Sequence, residues 1–151
     1  MAEDSGQIVV PVLLSHILPL AGGLAARLEV GIDVLDVWCG LGRALNIMDP
    51  EFPNSRFIGS DISEEGLELG CSEAAKRGLS KLKFETGDAT DLGYDGEFDH
   101  ITTFDAVHDK TAPDKVLVSI GKALCGDGFY LMQDIKASSE VQNNVDHPAG
   151  P

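Results

Sequence analysis

Cysteine is scarce in this sequence, basic side chains are outnumbered, and repeats are missing. The cysteines are Cys39, Cys71 and Cys125, odd in number and far apart, so neither a disulfide framework nor a cysteine metal knuckle fits. The expectation is a reducing, cytoplasmic setting and no bound metal. Only 11 Lys and Arg stand against 25 acidic residues, for a formal charge of −14, and no basic run occurs. Such a surface repels nucleic-acid phosphates and anionic lipid, so neither is expected as a partner, and the acidic excess reads as solubility. There is no internal repeat and no low-complexity tract. Only one tryptophan is present, Trp38, and its position is unusual, as shown below.

Long apolar runs are also few. The one exception is "IVVPVLLSHILPLAGGLAA", which carries no formal charge and approaches a membrane span in length. It is interrupted by Pro11, Pro19, Gly22 and Gly23, and the acidic "MAEDSGQ" before it is the reverse of a secretory leader. Residues 1–31 are therefore expected to form an apolar helical region packed on the domain or on a neighbour, with His16 as a core or interface histidine.

What the sequence does contain is enough for one core. The chain has 151 residues, 43% of them hydrophobic, which suits a single domain and excludes a disordered tail. From residue 32, strand and helix signals alternate. "IDVLDV" is a short β-branched run suited to a buried parallel strand, and "RALNIMDPEF" predicts a helix ending near Pro53. "RFIGSDI" predicts the second strand. Ser63 is placed to cap the next helix, Glu64 and Glu65 suit its positive end, and Leu67, Cys71 and Ala74 share one face. "LKFET" and "FDHITTF" are the third and fourth strands. Pro113 starts a helix with Val116, Leu117, Ile120 and Leu124 on its buried face, "CGDG" stops it, and "FYLMQDI" is the fifth strand. The expected fold is α/β, a doubly wound Rossmann-like sheet that is mostly parallel, over residues 32–135, followed by an irregular tail over 136–151.

In such a sheet ligands bind beyond the carboxyl ends of the strands, which directs attention to "DVWCGLG" after the first strand. A dinucleotide loop needs G-x-G-x-x-G. From Gly40 the chain offers Gly40, Gly42 and then Leu45, so a nicotinamide-dependent oxidoreductase is an alternative that lacks its third glycine. The other pattern is an acid, one residue, then G-x-G-x-G, and here it runs Asp36, Val37, Trp38, Gly40, Gly42. That arrangement resembles motif I of the class I S-adenosylmethionine-dependent methyltransferases, with Trp38 in place of the first glycine. The likeness continues in order: Asp61 at the end of strand two, "GDATDL" after strand three, "FDHITTFDAVHD" at strand four, and "ALCGDGFYLMQDI" at strand five.

The resemblance implies S-adenosylmethionine as cofactor. It implies contacts from Asp36, Cys39, Gly40, Gly42, Asp61, Ile62, Asp88, Ala89, Phe104 and Asp105. An acid beside the loop suits the cofactor's ammonium, loop amides suit its carboxylate, and Asp61 is the expected acceptor for both ribose hydroxyls. Cys39 is expected to be structural, since no base adjoins it. His108 and Asp109 are candidate acceptor-side groups, and the reading that His108 only packs the loop is preferred. His100 is expected to be a packing or edge residue. "FDAVHDK" and "MQDIKASSEVQNNVDHP" resemble a branch whose members carry an N-terminal winged-helix region. On that likeness the chain is expected to be truncated, without the winged-helix region and the last strand pair, leaving strand five as an open edge prone to self-association. The implied reaction is methyl transfer to an unidentified nucleophilic acceptor. The alternative to catalysis is a degenerate methyltransferase-like fold acting as a binding module.

Overall fold

The computed structural model describes residues 10–104 and 112–133. Three short helical turns, Val10–Val12, Leu13–Ile17 and Leu18–Leu20, lead to helix α1, Leu24–Val30. Then follow β1 (Asp33–Val37), α2 (Arg43–Glu51), β2 (Arg56–Asp61), α3 (Glu64–Lys76), β3 (Lys83–Thr86), β4 (Phe98–Phe104), α4 (Pro113–Ala123) and β5 (Leu124–Gln133). The strands form one sheet in the order β3-β2-β1-β4-β5. Every neighbouring pair is parallel, as crossover helices require. The order reverses at β1, which places the β1 and β4 carboxyl ends at the switch point where doubly wound sheets bind ligands.

Alternation along the strands divides the core between two faces. Val34 of β1 packs with Leu45 and Met48 of α2, Phe57 of β2 and Ala74 of α3. Leu35 and Val37 face the other way, against Val116, Ile120 and Ala123 of α4. The N-terminal turns and α1 bury Leu13, Ile17, Leu18, Leu24 and Leu28 in the first of these clusters. Each such side chain contributes about 1.5–3 kcal/mol by leaving water. Ser63 caps α3 as expected, accepting from the Gly66 amide at 3.2 Å.

Several expectations need correction. The described part of the N-terminal region, residues 10–31, does not form one helix: Gly23, at φ 79°, separates α1 from the preceding turns, and Leu13–Leu20 and Leu24–Val30 are bent by 107°. Among the described residues no single helix is long and apolar enough to cross a membrane. His16 is not a core histidine. It is exposed and bonded to the Ser15 hydroxyl at 2.6 Å. Cys71 is exposed, because α3 presents Gly66, Leu67, Gly70 and Ala74 to the sheet. Leu117 is likewise 46% exposed. "CGDG" does not separate α4 from β5. Leu124 already pairs with Phe98, and the next pairing is Phe129 with His100, so Cys125–Gly128 bulge within the strand. Gly128 permits this, because a Cβ there would lie 3.0 Å from the Phe98 carbonyl oxygen.

Candidate functional site

The loop after β1 has a regular backbone signature. Positions 38, 40 and 42 all take left-handed φ values, 57° at Trp38, 56° at Gly40 and 63° at Gly42. These are the three positions where the motif has glycine. Trp38 is the one described non-glycine residue with positive φ. The loop therefore keeps the path of an all-glycine motif, and Trp38 bears a backbone conformation that costs a side-chain-bearing residue about 1–2 kcal/mol. Its indole is half-buried and packs against the α4-side cluster, whose members include Ala89. That packing offsets the backbone cost.

The loop is seated on β2 through a glycine. A Cβ at Gly59 would lie 2.8 Å from the Cys39 sulfur and 2.8 Å from Leu45, so the missing side chain is what lets the loop descend. Cys39 fills that space and donates its backbone amide to the Ser60 carbonyl at 3.2 Å. Burial pushes its thiol up, and the nearby Asp36 and Asp61 push it further, so it is unfit as a nucleophile at neutral pH.

Asp61 ties three segments together. Its Oδ2 accepts from the Gly40 amide at 2.9 Å and its Oδ1 from the Ser63 amide at 2.9 Å. Its backbone carbonyl accepts from the Gly87 amide at 3.0 Å. The loops after β1 and β2 thus converge on one carboxylate, and the loop after β3 joins them at the same residue's main-chain carbonyl. Each oxygen carries a second lone pair beyond the bond already made, so the structural bonds and a ligand's donors are compatible.

Asp36 is the second acid. It is 3% exposed and bonded to the Thr102 hydroxyl of β4 at 3.0 Å. Its pKa is pushed up to about 7, first by burial and further by the charge of Asp61, while the Thr102 bond opposes both. An acid this costly to ionise in isolation is suited to a cation.

Asp88 is exposed and takes an Asx turn, its Oδ1 accepting from the Thr90 amide at 2.9 Å and the Thr90 hydroxyl at 2.8 Å. Those bonds hold its carboxyl below the usual range. Ala89 beside it is buried, Phe104 is buried at the end of β4, and Ile62 is 71% exposed at the end of β2. The structure brings Asp36, Cys39, Gly40, Gly42 and Asp61 into one constellation, while Asp105, His108 and Asp109 lie outside the described residues, as does His147. His100 is a packing residue. It is 1% exposed and its Nδ1 lies 3.0 Å from the Phe129 carbonyl oxygen, and burial lowers its pKa to about 4. Sequence reasoning did not find Thr102. Its one signal was a polar residue opposite Asp36 in register, in a strand that also carries Asp99, His100 and Thr103.

A family model described as "Methyltransferase domain" matches residues 28–148. The chain is 26% identical over 125 residues to methyltransferase ungE' of Aspergillus campestris, covering 74% of this chain and 36% of that one. It is 30% identical over 102 residues to the uncharacterized methyltransferase YcgJ of Bacillus subtilis, covering 67% of this chain and 40% of that one. The YcgJ crystal structure shares the fold, with a TM-score of 0.70 at 24% identity, over 94% of this chain and 55% of that chain. PKMT2 of Rickettsia typhi, solved in complex with AdoHcy, matches at 28% identity and a TM-score of 0.61, over 69% of this chain and 21% of that chain. The chain thus spans well under half the length of these curated relatives.

Proposed function

This chain belongs to the methyltransferase domain family, and we propose that it binds S-adenosylmethionine at the loop after β1 and takes part in methyl transfer to a nucleophilic acceptor. The residues present fit that cofactor. Left-handed backbone at positions 38, 40 and 42 lays the loop across the strand ends, where its amides suit a carboxylate. The buried Asp36 suits the cofactor's ammonium, and Asp61 suits its ribose hydroxyls. When bound, the cofactor supplies a methyl group already activated on a sulfonium. The protein's part is then to hold donor and acceptor in line and to exclude water.

The observation that carries this reading is the convergence of three loops on Asp61, two of them on its carboxylate. Two acceptor oxygens held by main-chain amides are preorganised for a vicinal diol. The test is calorimetry with S-adenosylmethionine, S-adenosylhomocysteine, NAD and NADP on the chain and on Asp61→Ala. The expected outcome is binding of the first two only, weakened at least tenfold in the variant by loss of charge-assisted bonds. Binding of NAD instead, or equal affinities in both proteins, sinks the reading.

Trp38 favours a second reading, in which the chain binds the cofactor weakly and acts as a non-catalytic module. The indole stands at a glycine position and packs toward the cluster holding Ala89. Micromolar cofactor binding by the whole protein, with methyl transfer from labelled donor, would exclude it.

A further inference from the structure

We propose that Thr102 is a positioning residue of the cofactor site, its buried hydroxyl fixing the Asp36 carboxyl so that the acid is presented as an anion to the cofactor's ammonium. This rests on the cofactor reading given above. Asp36 and Thr102 are paired in register across β1 and β4. Both lie deep in the sheet, at 3% and 0% exposure, and the hydroxyl donates to Oδ1 at 3.0 Å. A threonine at this depth has no need of a hydroxyl for packing, since valine has the same shape and suits a buried parallel strand better.

The hydroxyl has an electrostatic task instead. The charged and titratable groups facing Asp36 among the described residues are Asp61 from β2 and Cys39 from the loop. Burial opposes ionisation of Asp36, and so does the charge of Asp61. The Thr102 donor acts in the opposite direction. A hydrogen bond to a carboxylate is stronger than one to a carboxylic acid, so it biases Asp36 toward the charged form that an ammonium requires.

The test uses the full chain in three forms: wild type, Thr102→Val and Thr102→Ser. The Asp36 carboxyl carbon is titrated by NMR in the ligand-free protein, and S-adenosylhomocysteine binding is measured by calorimetry across the neutral pH range. Thr102→Val should move the Asp36 midpoint up by about one pH unit and weaken binding about tenfold at slightly acid pH, with the loss shrinking as pH rises. Thr102→Ser should restore both, and Thr102→Ala serves in place of valine if that chain misfolds. An unmoved Asp36 midpoint, or a loss equal at every pH and not rescued by serine, overturns the proposal. Absence of binding by wild type at any pH overturns the cofactor reading instead, and the NMR titration still decides whether Thr102 controls Asp36.

Discussion

Asp36 is an acid placed where ionisation is unfavourable. Its pKa rises from 3.8 unfolded to about 7 folded, chiefly through burial. Between those values the native state binds more protons than the unfolded state, so stability falls as pH rises through that window and levels off above it. The total is on the order of 4 kcal/mol. Asp36→Asn should flatten this part of the profile, measured as the difference between urea-unfolding free energies of variant and wild type from acid to neutral pH. Identical slopes would mean that Asp36 is already ionised in the folded chain. Trp38 presents the opposite balance, an unfavourable backbone angle offset by a packed ring. Trp38→Gly relieves the backbone but removes apolar contact, about 2–3 kcal/mol if half of a ~200 Å² ring is reburied poorly. The expected outcome is a lower melting temperature together with tighter S-adenosylmethionine binding. Unchanged affinity in a folded variant would show that the indole stays clear of the ligand.

Elements were legible in the sequence where local signals agreed. The Ser63 cap, the Pro113 start and the run of β4 all appear as expected, because each depends on chemistry within a few residues. The failures needed long-range information. The bulge in β5 depends on Phe98 pairing with Leu124, and no local pattern announces that. Cys71 and Leu117 sit on plausible apolar stripes, but the sheet takes up Gly70 in place of Cys71, and Val116 and Ile120 as expected without Leu117. In the site, the glycine loop and Asp61 were visible as a spaced motif. Thr102 was not, because its role depends on a neighbour in another strand. Gly59 was also silent, though it supports the loop. A Cβ there meets Cys39, Leu45 and Phe84 within 2.9 Å. Gly59→Ala should cost about 1–3 kcal/mol by overpacking and should displace the loop, lowering both melting temperature and cofactor affinity. A variant with wild-type affinity would separate the loop's position from its seat on β2.

For the whole molecule, the parallel order β3-β2-β1-β4-β5 sets the switch point beside β1, and the glycine loop, Asp36 and Asp61 gather there. The fold was foreseeable from alternating strands and helices, since the connections leave few other topologies. Acceptor chemistry was not, because the candidate residues for it, His108 and Asp109, carry no spacing that specifies a substrate. The family match covers residues 28–148, while the matched part spans 36% of one curated relative and 40% of another. The described part still makes one commitment that a single structure checks. Crystals of this chain grown with saturating S-adenosylhomocysteine should show the ribose hydroxyls against Asp61 and the amino group beside Asp36. An empty crevice, or one filled by the Trp38 indole with the ligand absent, would contradict it.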